Sequence, residues 1–146
     1  MNSKDEGYIE SKSAVEEYIA RLRYALDNGA SLQLVRSRHS DEVKDYRHTN
    51  KFTLSDLFPN EDPAVALRRE LGLLEVGNYI RTLPDTRYRH LPELREFGKA
   101  YNGKDVYIKI RVELISSGGG KSVMVLSFHY AEYKFDNDEF HYRENN

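Results

Sequence analysis

The chain has 146 residues, of which 39% are hydrophobic and 32% charged, with a net charge of −2. That suffices for one soluble domain, 1–146, with a modest core, is short for two, and excludes a surface coated throughout in positive charge. Cysteine is absent, which removes disulfides, thiolate metal sites and cysteine nucleophiles.

Residues 1–7 are polar and acidic, so no secretory signal is expected. No apolar run approaches the roughly 20 residues of a membrane span, and the expected location is cytoplasmic. Ser13-Ala14-Val15-Glu16 has the form of a capping box. Val15, Tyr18, Ile19, Leu22, Ala25 and Leu26 then recur at three- and four-residue spacing, predicting an amphipathic helix that stops at Asn28-Gly29. Leu32, Leu34 and Val35 predict a short strand. The polar stretch 37–50 follows, with Ser40-Asp41-Glu42 as a candidate helical turn. His39 and His48 lie there without zinc-ligand spacing, and no cofactor or metal is implied.

Residues 53–58 predict a brief helix stopped by Pro59. Asp62-Pro63 marks another start, an N-cap followed by proline, for a helix with Ala64, Leu67 and Leu71 on one stripe and its end at Gly72. Val76, Tyr79, Ile80 and Leu83 also show helical spacing, so 74–83 is expected as a helix closed by Pro84. Arg81 would then sit in its last turn, where the helix dipole favours a cation.

Between residues 86 and 101, Arg87, Tyr88, Arg89, His90, Arg95, Phe97, Lys99 and Tyr101 interleave bases with aromatics, as an irregular strand broken at Pro92. Such a mixture can neutralise phosphates and stack bases, as single-stranded RNA requires. A charged edge strand has the same composition. The charge is uneven along the chain: eight bases oppose four acids between Arg81 and Arg111, whereas from Glu132 onward five acids oppose Lys134 and Arg143. Residues 1–10 and 136–146 are expected as flexible ends.

Residues 103–131 read as one long hairpin. Val106, Ile108, Ile110, Val112 and Leu114 alternate with Tyr107, Lys109, Arg111 and Glu113, the period of a half-buried strand. If Met124, Leu126 and Phe128 join that apolar face, paired residue numbers sum to an even value, and His129 and Ser127 share the other face. A sum of 236 sets His129 opposite Tyr107; a sum of 238 sets it opposite Lys109. The glycine-rich connection ends in Gly118-Gly119-Gly120-Lys121-Ser122 but lacks the first glycine of a phosphate-binding loop, Ile115 standing in its place, and a strand follows it rather than a helix.

The helix of residues 21–29 leading into 32–38, the segment Gly77-Asn78-Tyr79-Ile80-Arg81-Thr82-Leu83, the strand Val106-Tyr107-Ile108-Lys109-Ile110 and the strand Val125-Leu126-Ser127-Phe128-His129 resemble the MqsR-like toxins. These are messenger-RNA interferases of the RelE superfamily. The resemblance implies an α+β fold, a twisted antiparallel sheet with N-terminal helices packed against it, and an endoribonuclease held in check by an antitoxin protein. It implies that Tyr107 matches the family's strand tyrosine. Arg81 and His129 stand where the family has lysines, and Lys109 falls at a basic position. The family's glutamine before the hairpin has no clear equivalent, Glu93 and Arg95 being nearby. The stretch between Gly29 and Asp62, the 116–121 loop and the acidic tail lengthen this chain beyond the family's pattern.

Metal-free RNA cleavage needs a base for the ribose 2′-OH, an acid for the departing 5′ oxygen and cations for the phosphorane. Histidine titrates near neutrality, so His129 is the expected proton carrier. Tyr107 would donate or orient, and Arg81 and Lys109 would hold negative charge. Arg87, Arg89, Arg95, Lys99 and Arg111 are the candidate RNA-binding residues. The alternative is a non-catalytic module that binds RNA or protein through the same basic face, Tyr107 and His129 being an ordinary cross-strand pair.

Overall fold

The computed structural model describes residues 7–35, 49–84, 90–114 and 120–144. Arg87, Arg89, His39, His48, the proposed turn at Ser40 and most of the glycine loop lie outside them. The architecture is α+β: three helices cover one face of a five-stranded sheet.

Helix α1, Lys12–Asp27, buries the six apolar residues that its periodicity selects. Its N-cap is Ser11, whose hydroxyl accepts from the Ala14 amide; the capping box expected at Ser13 does not form, the helix starting two residues earlier with alanine at the third position. Gly29 takes φ 80°, the left-handed turn that ends the helix and sends the chain into strand β1, Ser31–Leu34. Helix α2, Asn50–Leu57, is capped by the Thr49 hydroxyl, and α3, Pro63–Gly72, by the Asp62 carboxylate. In α3 the buried stripe is Ala66, Leu67, Glu70 and Leu71, while Ala64 is exposed. Helices α1 and α3 cap one another. Arg68 of α3 donates to the carbonyls of Leu26 and Ala30, and Arg23 of α1 to those of Gly72 and Leu74, filling acceptors that helix ends leave open.

The helix expected over 74–83 does not form. A 3-10 turn at Val76–Asn78 leads into strand β2, Tyr79–Leu83. Its aromatic and β-branched residues favour a pleated surface, and the glycine at 77 weakens a helix at that point. Arg81 is therefore a strand residue rather than a helix-terminal one. Strand β3, Leu94–Tyr101, is regular and joins β4, Lys104–Glu113, through Asn102 and Gly103 at φ 53° and 81°, a two-residue turn whose twist matches the strands. Strand β5, Ser122–Tyr130, completes the order β1-β5-β4-β3-β2. The sheet is mixed rather than wholly antiparallel, because β1 lies parallel to β5.

The β4–β5 register follows the sum of 236 from Val106↔Tyr130 to Lys109↔Ser127, then shifts by one to 235 from Ile110↔Val125 onward. This bulge corrects the expected core. Val123 and Val125 join Phe128 and Tyr130 on the buried face, and Met124 and Leu126 are only half-buried. Helix α2 supports the bulged edge that β1 is too short to cover. Asn50 donates to the carbonyls of Val35 and Leu126 and accepts from the Phe128 amide, and the Thr53 hydroxyl accepts from the Tyr130 amide. Leu114 is 40% exposed and lies outside the core.

Candidate active site

Alternation in four strands decides which groups reach the sheet face opposite the three helices. In β4 the residues on that face are Tyr107, Lys109 and Arg111. Tyr107 pairs directly with His129, ring centroids 5.5 Å apart, and Lys109 with Ser127; the Lys109 Nζ lies 6.0 Å from the Tyr107 ring. On the other side of β4, Tyr107 pairs with Gly98 and Lys109 with Glu96. Glu96 in turn pairs with Arg81 of β2. Arg81, Glu96, Tyr107 and His129 thus form a band across four strands.

Glu96 is the member of this band that sequence patterning does not single out. It is 5% exposed, and its carboxylate accepts from Arg81 Nε at 2.5 Å and from the Tyr107 hydroxyl. The only signal is positional: it stands one residue beyond Arg95, hence on the opposite face. The Glu96 bond raises the Arg81 pKa above its ordinary value; burial opposes that rise, and the charges of Glu96, Tyr107 and Glu139 add to it. His129 Nδ1 lies 3.0 Å from the Tyr130 carbonyl. A carbonyl only accepts, so Nδ1 is the donor in this contact.

The other expected RNA-binding residues are distributed differently. Arg95 turns to the helix-covered face, where it is 9% exposed, grips Glu10 through Nε and Nη2 at 3.0 and 3.1 Å, and stacks 4.3 Å from the centre of the Tyr18 ring. Lys99 shares that face and lies 5.5 Å from the Tyr101 ring. Arg111 is on the Tyr107 side but is buried, with Glu113 3.3 Å away.

Residues 131–144 run back across the open face from β5 to β2. The Phe135 amide donates to Asp105, Phe135 and Phe140 pack edge to face over Gly98, and Tyr142 stacks on Tyr79 and donates to the Glu10 carbonyl. Gly98 is required there, because a Cβ would lie 2.5 Å from Phe135 Cε2. The crossing leaves two adjoining cavities. One of about 530 Å³ is lined by Arg81, Glu96, Tyr107, Asp138, Glu139 and His141, with Ile9, Ile80 and Phe135 as its apolar wall. The second, about 270 Å³, is lined by Tyr107, His129, Glu132, Tyr133 and Lys134 and shares Phe135 and Glu139 with the first. Among the described residues no group of three or more acidic or histidine side chains is arranged to hold a metal ion, and no helix is long and apolar enough to cross a membrane.

A carboxylate fixed by an arginine, a phenol and an imidazole, all beside solvent-open cavities, can move protons on either side of a bound ester. Comparison of the chain with protein-family models, curated proteins and solved structures found no match.

Proposed function

We propose that the protein is an endoribonuclease that cleaves RNA by attack of the 2′-OH on the adjacent phosphate. What supports the reading is the pairing of Tyr107 with His129 on the open face, beside the carboxylate that Arg81 and Tyr107 hold. Glu96 takes the proton from the 2′-OH as O2′ bonds to phosphorus. The bond from phosphorus to O5′ breaks, and His129 protonates O5′ through Nε2. The products are a 2′,3′-cyclic phosphate and a 5′-hydroxyl. Arg81 and Lys109 offset the charge on the phosphorane, and Tyr107 keeps Glu96 directed at the sugar. In a cell such an activity requires an inhibitor protein, the role an antitoxin would fill. Incubating purified protein with free RNA in EDTA, and separately with translating ribosomes in magnesium buffer, tests the proposal: cyclic-phosphate ends are expected, and intact RNA in both settings refutes it.

A second reading, a binding module without catalysis, draws on one observation. The larger cavity carries Glu96, Asp138 and Glu139 against Arg81, a balance that suits a cationic protein segment better than a polyanion. Binding of basic peptides with no RNA cleavage would favour it.

A further inference from the structure

We propose that Tyr133, flanked by Lys104 and Lys134, is the subsite for the nucleotide on the 3′ side of the cleaved bond. The inference rests on the endoribonuclease reading above.

Tyr133 is 83% exposed, the most exposed large hydrophobic side chain among the described residues. A single aromatic in water means little by itself. This one lines two neighbouring cavities: the one that holds His129, and another of about 400 Å³ that it shares with Lys104 and Lys134. The three cavities form a series. Glu96 and Tyr107 lie in the first, Tyr107 and His129 in the second, and the two lysines in the third, with Tyr133 and Lys134 common to the second and third. Exposed tyrosine and lysine together are what a single strand needs: a ring on which any base stacks, and cations for the phosphates beside it.

The acids nearby reduce the local positive charge without leaving either lysine in a strong pair. Asp105 lines the same cavity as the two lysines; its Oδ2 accepts the Phe135 amide, but its charge still offsets one of them. Lys104 faces Asp56 at 3.8 Å, with both side chains well exposed at 63% and 41%, so a phosphate can take over that weak pair. Glu132 lines the middle cavity beside Lys134 and limits the net gain there.

The series also fixes strand direction. The base that removes the 2′-OH proton and the acid that protonates O5′ stand on opposite sides of the phosphorus. The leaving nucleotide therefore lies on the His129 side, which is the side of Tyr133. Its base stacks on Tyr133, and the phosphate after it meets Lys104 and Lys134.

The test uses a labelled random-sequence RNA with 2′-fluoro sugars, which the proposed reaction cannot cut. Tyr133→Ala should weaken binding about 5- to 150-fold, the loss of one base–aromatic stack, while Tyr133→Phe keeps the affinity. Replacing Lys104 and Lys134 by alanine should flatten the slope of log affinity against log salt by about 0.7 for each phosphate no longer neutralised. In a cleavable RNA with a mapped site, an abasic residue on the 3′ side should slow the parent and not Tyr133→Ala. Parent-like binding by Tyr133→Ala, or an abasic cost on the 5′ side only, overturns the subsite and leaves the nuclease reading standing. Failure of the parent protein to bind any such RNA also overturns the subsite, while the nuclease reading is decided separately by cleavage of free RNA and of messenger on ribosomes. Tyr133 is 83% exposed, so melting temperatures close to the parent's are expected for both of its variants.

Discussion

Glu96 and Tyr107 share a hydrogen bond on the open face of the sheet from diagonal positions on adjacent strands, β3 and β4 pairing Gly98 with Tyr107 and Glu96 with Lys109. The carboxylate is thereby held between a phenol and the Arg81 guanidinium, at the wall of a cavity that the crossing tail leaves on this face. Glu96→Gln keeps the shape and removes the charge. Cleavage should fall about 100-fold or more while RNA binding stays equal or tightens, since an acid has left the groove. Unchanged turnover of RNA would remove Glu96 from the reaction.

Asn50 holds the bulge that places His129. It is 6% exposed and joins α2 to Leu126 and Phe128, where β5 has run past the end of β1 and, among the described residues, has no strand on that side. Asn50→Ala leaves buried backbone groups without partners and should cost about 2–4 kcal/mol in urea unfolding. An amide at this position that can be removed without loss would mean that the bulge is set by β4 and β5 alone.

The tail crossing predicts a steric result. Gly98→Ala drives a methyl group against Phe135 and should cost about 1–3 kcal/mol, the range for overpacking. The Phe135 and Phe140 ring resonances should shift with it. Parent-like stability with unmoved rings would contradict the packing of residues 135–140 on the sheet.

The Glu10–Arg95 pair predicts a pH dependence. Burial works against the Glu10 charge, but the bonds from Arg95 and Thr82 outweigh it and hold the carboxyl below its usual range. A depressed folded-state pKa contributes stability that is complete above the unfolded value, about 4.3, and is lost as pH falls through the folded one. Glu10→Gln should therefore destabilise the protein at neutral pH, on the order of 3 kcal/mol for a nearly buried pair. The gap between parent and variant should narrow as the pH drops below about 4. A gap independent of pH would show that Glu10 acts through packing and not through charge.

The helices and the long hairpin were legible because their apolar periods are unbroken: Val15 to Leu26 at helical spacing, Val106 to Val112 at strand spacing. Parity set His129 on the face of Tyr107 and Lys109 but left either as its partner; the register decides for Tyr107, and the bulge falls beyond the pair, between Lys109 and Ile110. Residues 79–83 were not legible, because a five-residue strand matches helical and strand spacing equally well and tertiary pairing with β3 decides. Asn102-Gly103 was the local signal that joins β3 to β4. It also fixes the parity that sends Arg95 into the core and Glu96 to the site. Asn50 bonding to β5 is a contact across 78 residues to Phe128 that no local pattern carries.

The most direct measurement is cleavage of free RNA in EDTA, and of messenger on ribosomes in magnesium buffer, by the parent protein, His129→Ala and Tyr107→Phe at equal folded concentration, with the ends mapped. The account predicts 2′,3′-cyclic phosphate ends from the parent, and with His129→Ala a rate about 100- to 10,000-fold lower with binding little changed. Equal cleavage by parent and His129→Ala, or intact RNA with the folded parent both alone and on ribosomes, would contradict it.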